Sequence, residues 1–169
     1  MEFRVVPSDL DEILGSGPLS AAAARLALEK ARTVAGRVGE GIVVGADTIV
    51  VIDGEALGKP SGPEDARAML RRLRGREHEV VTGIAVVDAR SGRCESTAVA
   101  SRVRMAEYGE SEIDAYVVTG EPLDKAGAYA LQGGGRLFAT LVSGRSDTVV
   151  GLPVPLVRDL LDRLGAPGR

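Results

Sequence analysis

Histidine and cysteine occur once each in this chain, as His78 and Cys94, and tryptophan is absent. A lone cysteine cannot close an internal disulfide, which suits a reducing compartment. A lone histidine excludes a histidine-rich metal centre, so any metal is a hard cation on oxygen ligands, Mg²⁺ or Mn²⁺ rather than structural zinc. Aromatic residues make up only 3% of the chain, which leaves few platforms for stacking single-stranded nucleic acid. No apolar run approaches the ~20 residues needed to cross a bilayer. The start, Met1-Glu2-Phe3-Arg4-Val5-Val6, lacks the basic and then apolar stretch of a signal peptide. The expected location is therefore cytoplasmic, with no membrane partner. A formal charge of −3 without a long basic run argues against nucleic-acid polymers as partners. Small anions remain open, because a few lysines can hold them whatever the total charge.

What is present is 169 residues, 44% of them hydrophobic, enough for one compact domain over 1–169. Phe3 to Ser8 reads as a short strand. Ser20 is placed to cap a helix running to about Val34, rich in Ala, Leu and Glu, with Gly36 and Gly39 at its exit. Ile42 to Ile52 is a β-branched run that predicts a strand buried on both faces, and Asp53-Gly54 predicts a hairpin turn. Pro63, followed by Glu64 and Asp65, opens a helix through Leu70 and Leu73. Glu77 to Met105 reads as a long hairpin around 88–93. A short helix from Ser111, strands near 137–142 and 147–150, and a last helix from about Pro153 to Leu164 complete the pattern. Helices alternate with strands and one hairpin is antiparallel, so an α/β domain with a mixed sheet is expected.

Asp47 stands out, because it interrupts an otherwise apolar run. A carboxylate inside a buried strand is costly unless paired or bound to a cation, so it is either a structural aspartate at a turn or a functional one. Lys59, in Leu57-Gly58-Lys59-Pro60, is either a solvated loop lysine or a point charge for a phosphate. Lys30 sits on the first helix beside Glu29, a competing partner, and is unremarkable alone. Thr48 is at home in a strand. The stretch from Asp124 to Gly135 ends Gln132-Gly133-Gly134-Gly135. Its glycines let backbone N–H groups approach a ligand, or form a plain loop. Gln132 offers both a donor and an acceptor. The glycine spacing matches neither the P-loop nor the dinucleotide fingerprint. His78 reads as a local hydrogen-bonding residue at a strand entrance, and no serine–histidine–acid arrangement can be argued.

Together and in order, seven blocks resemble the Maf family of nucleotide pyrophosphatases. They are Phe3-Arg4-Val5-Val6-Pro7-Ser8-Asp9-Leu10-Asp11-Glu12, Leu26-Ala27-Leu28-Glu29-Lys30-Ala31, Gly45-Ala46-Asp47-Thr48-Ile49-Val50, Leu57-Gly58-Lys59-Pro60, Gly75 to Gly83, Asp124 to Gly133, and Val149-Val150-Gly151-Leu152-Pro153. The resemblance implies an α/β fold: a long, mixed, twisted sheet flanked by helices, in two lobes with a cleft, similar to inosine-triphosphate pyrophosphatases. It also implies metal-dependent hydrolysis of a nucleoside triphosphate to the monophosphate and pyrophosphate. Carried over, Asp47 matches the general base. Glu12, Lys30 and Lys59 match residues around the phosphates and metal, with Glu12 and Asp47 as its carboxylates. Thr48 and Gln132 match positions tied to base preference, the glutamine resembling the branch that acts on dTTP and UTP. A cation and two lysines would neutralise the triphosphate, and Gln132 could pair with the O4 and N3–H edge that thymine and uracil share. Modified nucleotides fall within the same expectation, and a homodimer is compatible with it.

Members of that family open with a strand and a serine–any–serine–proline–arginine–arginine loop, whereas this chain contains no Ser-Pro dipeptide. The resemblance thus implies an N-terminally incomplete domain, from a misassigned start or a true truncation. The alternative to an enzyme is a non-catalytic nucleotide-binding or septum-regulating protein that has lost the phosphate loop.

Overall fold

The computed structural model describes residues 3–10 and 17–165. The chain divides into two compact units. The first comprises residues 1–47, 82–99 and 151–169, and the second residues 48–81 and 100–150. The three longest strands each belong partly to one unit and partly to the other. They are β1 (Ile42–Ile52), β3 (Glu77–Asp88) and β4 (Cys94–Met105). With β2 (Glu55–Leu57) and β5 (Ala139–Ser143) they form one sheet in the order β2-β1-β3-β4-β5. The α/β class with a helix-flanked sheet is as the sequence predicts. The registers, however, are antiparallel where a mixed sheet was expected: Val51 faces Ala56, and Arg104 faces Thr140. Tight turns join β1 to β2 and β3 to β4, as antiparallel neighbours allow, whereas residues 106–138 connect β4 to β5. Asp53 (φ 55) and Gly54 (φ 77) form the β1–β2 turn, with the two positive φ angles of a twisted hairpin.

In the first unit, β3 is covered on both faces. Ala85 and Val87 pack with Ala27, Ala31 and Ala35 of α1 (Leu19–Val38), while Ile84 and Val86 pack with Leu160 and Leu164 of α5 (Val154–Leu164). Period-two alternation sends neighbouring side chains to opposite helices. Burial on both faces therefore falls on β3, unbroken from Val80 to Val87, whereas Ile42 and Val44 of β1 are exposed. Helix α1 is longer than predicted. It starts after Pro18 rather than at a Ser20 cap, and it ends where Gly39 turns left-handed (φ 74) and donates its N–H to the Ala35 carbonyl.

In the second unit, α2 (Pro63–Leu73) and α3 (Glu110–Val118) join β1 and β3–β5 around Ile52, Leu70, Leu73, Val80, Val103, Met105, Tyr108 and Tyr116. Two predicted strands are absent. Phe3 to Leu10 has no regular structure, and Phe3 and Val5 are exposed; the Pro7 and Ser8 carbonyls accept instead from the Arg37 guanidinium. Residues 147–150 lie in a short helix, α4 (Ser146–Val150). Its first-turn Asp147, paired with Arg145, suits a helix N-terminus. No helix among the described residues is long and apolar enough to cross a membrane.

Candidate active site

The Asp47 carboxylate is reached by α1, and small residues make that possible. A Cβ placed on Gly45 would stand 2.3 Å from the Ala27 carbonyl oxygen and 2.9 Å from the Ala31 Cβ. One on Gly83 would stand 2.1 Å from the Ala23 carbonyl oxygen. The stripe Ala23, Ala27, Ala31 recurs every fourth residue and so forms one helix face, which lies against glycine backbone. At that separation Lys30 Nζ donates to Asp47 Oδ1 at 2.5 Å. Both side chains are largely removed from water, with exposures of 18% and 3%. Asp47 Oδ2 is buried and has no hydrogen-bond partner among the described residues. Such an oxygen is expensive to desolvate unless a donor or cation completes it.

Lys30 joins Asp47 in the first unit, while Lys59, exposed on the loop after β2, belongs to the second. Thr48 and Gln132 also belong to the second unit, Thr48 half-buried and Gln132 exposed. Glu12 lies outside the described residues. Among the described residues no three His, Cys, Asp or Glu side chains gather as a metal cluster.

In the second unit the Lys59 loop is tied to the segment leading to Gln132. The Gly127 N–H donates to the Gly58 carbonyl at 3.0 Å. A Cβ on Gly127 would meet the Val50 side chain at 3.0 Å, so this turn, left-handed at Gly127 (φ 68) and Ala128 (φ 60), sits directly on β1. Lys59 adds to the positive charge acting on Asp124. The Asp124 carboxyl is held below its ordinary value first by the bond from Lys125, with charge from Lys125 and Lys59 behind it.

Glu121 and Tyr116 were not flagged in the sequence, yet they organise the triple glycine. The Glu121 carboxylate accepts from the Gly134 N–H at 3.0 Å, the Gly135 N–H at 3.2 Å and the Tyr116 hydroxyl at 2.9 Å. These two glycine amides are therefore engaged by a protein carboxylate, not presented to a ligand. The Gly134 amide is the leading cause that holds the Glu121 carboxyl below its ordinary value. The only signal in the sequence was Glu121-Pro122 standing a short distance before the Gly133-Gly134-Gly135 run.

His78 is buried, and its Nε2 meets the Tyr129 hydroxyl at 2.6 Å. Burial pushes its imidazole down to about 4 and pushes the Tyr129 phenol up. The local hydrogen-bonding role expected for His78 is what the structure shows. A hollow of about 370 Å³ lies beside it, lined by Asp53, Gly54, Glu77, Glu79 and Arg102 among others.

A family profile described as Maf-like protein matches residues 1–164. A dTTP/UTP pyrophosphatase of Anaeromyxobacter dehalogenans (strain 2CP-C) is 50% identical over 170 residues, spanning 99% of this chain and 86% of the relative. Proteins of the same name from Geotalea uraniireducens (strain Rf4) and Dictyoglomus thermophilum are 47% and 42% identical, each over 98% of this chain and 86% of its own length.

Proposed function

This chain belongs to the Maf family, and from that premise we propose that it is a nucleoside-triphosphate pyrophosphatase acting on dTTP and UTP, with Asp47 as its general base. The observation that carries the proposal is the Asp47 carboxylate: one oxygen held by Lys30, the other buried and without a hydrogen-bond partner among the described residues. Relatives named dTTP/UTP pyrophosphatase at 42–50% identity supply the substrate class.

The reaction adds water across the anhydride between the α and β phosphoryl groups and yields the monophosphate and pyrophosphate. Lys30 fixes the rotation of the carboxylate by binding Oδ1, which leaves Oδ2 to accept a hydrogen bond from the attacking water. As the water oxygen bonds to phosphorus, its proton passes to Oδ2 and the bridging P–O electron pair leaves with the departing group. Positioned general-base catalysis of this kind contributes about 10²–10⁴-fold. Lys59 supplies positive charge to the triphosphate, whereas Gln132, with Thr48 of β1, offers polar groups to the base.

A hard divalent cation fits the donor chemistry, because an orphaned carboxylate oxygen is the ligand Mg²⁺ prefers and substrate phosphates commonly complete its shell. Asp47 and Glu12 would hold it. When bound, such a cation neutralises phosphate charge and polarises the oxygens around the reacting phosphorus. We place the reaction in the cytoplasm and regard a homodimer as compatible with it.

The test is pyrophosphate release from dTTP and UTP in Mg²⁺ or Mn²⁺, compared with Asp47→Asn and with chelator present. Metal-dependent turnover lost in the variant is the expected result. Equal, negligible rates in both proteins, with nucleotide still bound, would instead indicate a binding module.

A further inference from the structure

We propose that Glu121 is a positioning residue for base recognition: its carboxylate clamps the glycine turn after Gln132 and so holds the Gln132 amide where a base can be read. The inference rests on the reading that Gln132 contacts the base. Gln132 has extended backbone (φ −111, ψ 165) and leads straight into the helical turn Gly133–Leu137. Its own side chain is exposed, so whatever orients it must come from the backbone on either side. Upstream, Tyr129 is anchored by His78, and downstream Gly134 and Gly135 are anchored by Glu121.

The three glycines match the clamp rather than a ligand. Gly133 is left-handed (φ 68), and a Cβ there would stand 2.8 Å from a Glu121 carboxylate oxygen. A Cβ on Gly135 would fall 2.2 Å from the Ala130 carbonyl oxygen and 2.7 Å from the Tyr116 hydroxyl. On Gly134 it would press the Tyr116 ring at 3.3 Å. Glu121 is itself fixed from behind. Its N–H donates to Thr119 Oγ1 at 3.2 Å, and the Pro122 that follows is buried. Two amides converging on one carboxylate reproduce how a protein grips an anion, with the anion supplied by the chain.

Glu121→Ala, Glu121→Gln, Tyr116→Phe and Gln132→Ala are compared with the parent for kcat and KM on dTTP and dCTP, alongside amide hydrogen exchange of residues 133–135. In Glu121→Ala the Gly134 and Gly135 amides should exchange faster. The dTTP-over-dCTP ratio of kcat/KM should fall about tenfold, through KM, with kcat changed about twofold at most. Glu121→Gln keeps a carbonyl acceptor and should lose less, and Tyr116→Phe less again. A fall in kcat/KM that is equal for both nucleotides would make Glu121 merely structural and overturn the proposal. If Gln132→Ala loses the preference while Glu121→Ala keeps it, positioning by Glu121 is wrong but base reading by Gln132 stands. If Gln132→Ala keeps the parent ratio, or the parent turns over neither nucleotide, the underlying functional reading fails, and this proposal with it.

Discussion

Lys30 and Asp47, 17 residues apart in sequence, meet at 2.5 Å because α1 lies against two glycines of the sheet. Neither a helix propensity nor a strand pattern dictates that contact. It follows from how closely Gly45 and Gly83 allow the Ala23, Ala27, Ala31 face to approach.

The two halves of this pair are expected to separate stability from activity. Lys30→Met leaves a carboxylate of 3% side-chain exposure without its ammonium, and breaking a buried pair this way costs about 3–5 kcal/mol. Asp47→Asn keeps a carbonyl oxygen to accept from Lys30, so its urea midpoint should fall less. Its rate of pyrophosphate release should nonetheless drop by about 10²–10⁴-fold, as for a lost general base. Urea denaturation and a pyrophosphate assay on both variants check the inverted order, and Asp47→Asn retaining the parent rate would contradict the assignment.

Gly45→Ala should damage the same pair without touching its chemistry. The new methyl would sit 2.3 Å from the Ala27 carbonyl oxygen, and backbone cannot swing aside as a side-chain end does. Overpacking of this kind costs about 1–3 kcal/mol, and the displaced helix should carry Lys30 away from Asp47 and lower kcat. Gly36→Ala on the same helix is the control. Nothing lies within 4 Å of its Cβ position, so replacing a helical glycine should stabilise by about 0.4–1 kcal/mol. Thermal denaturation of the two variants should therefore shift in opposite directions.

Asp47 was legible because a charge in an apolar strand is conspicuous, and the β1–β2 turn because Asp-Gly tolerates two left-handed residues. Lys30 was visible only through a family resemblance, since its partner is brought to it by packing. Residues 147–150 misread as a strand because Thr148, Val149 and Val150 are β-branched or β-favouring. In so short a stretch, an acidic first turn and the burial of Thr148 outweigh propensity. Phe3 and Val5 alternate like a strand yet stay exposed, and pattern without burial is not enough. The triple glycine misled differently: local freedom was evident, but the Glu121 that uses it comes from outside the run.

His78 should make the fold acid-sensitive. Its folded value is about 4 against an ordinary 6.5, so between those values the unfolded chain binds the proton more readily. Stability from this residue is fully present above about pH 6.5 and is lost as pH falls toward 4, by about 3 kcal/mol in total at 1.36 kcal/mol per pH unit. Urea midpoints at pH 7 and pH 5 should differ in the parent. The difference should shrink in His78→Gln, which keeps a hydrogen-bonding group for the Tyr129 hydroxyl but does not titrate. An unchanged pH slope in that variant would assign the acid sensitivity elsewhere.

Lys59 decides between a solvated loop lysine and a phosphate ligand. It is exposed, and its loop is fixed by the Gly127 N–H on the Gly58 carbonyl, so Lys59→Ala should leave the fold intact. A charge-assisted bond to a phosphate is worth about 1.5–3 kcal/mol, which predicts a KM for dTTP raised by roughly tenfold or more with kcat little changed. Because the ammonium faces solvent, the penalty should shrink as salt shortens the Debye length from about 10 Å at 0.1 M to about 3 Å at 1 M. Steady-state kinetics at the two salt concentrations check it. A KM equal to the parent's at low salt would leave Lys59 a surface lysine, and the triphosphate charge would then have to be met by other groups.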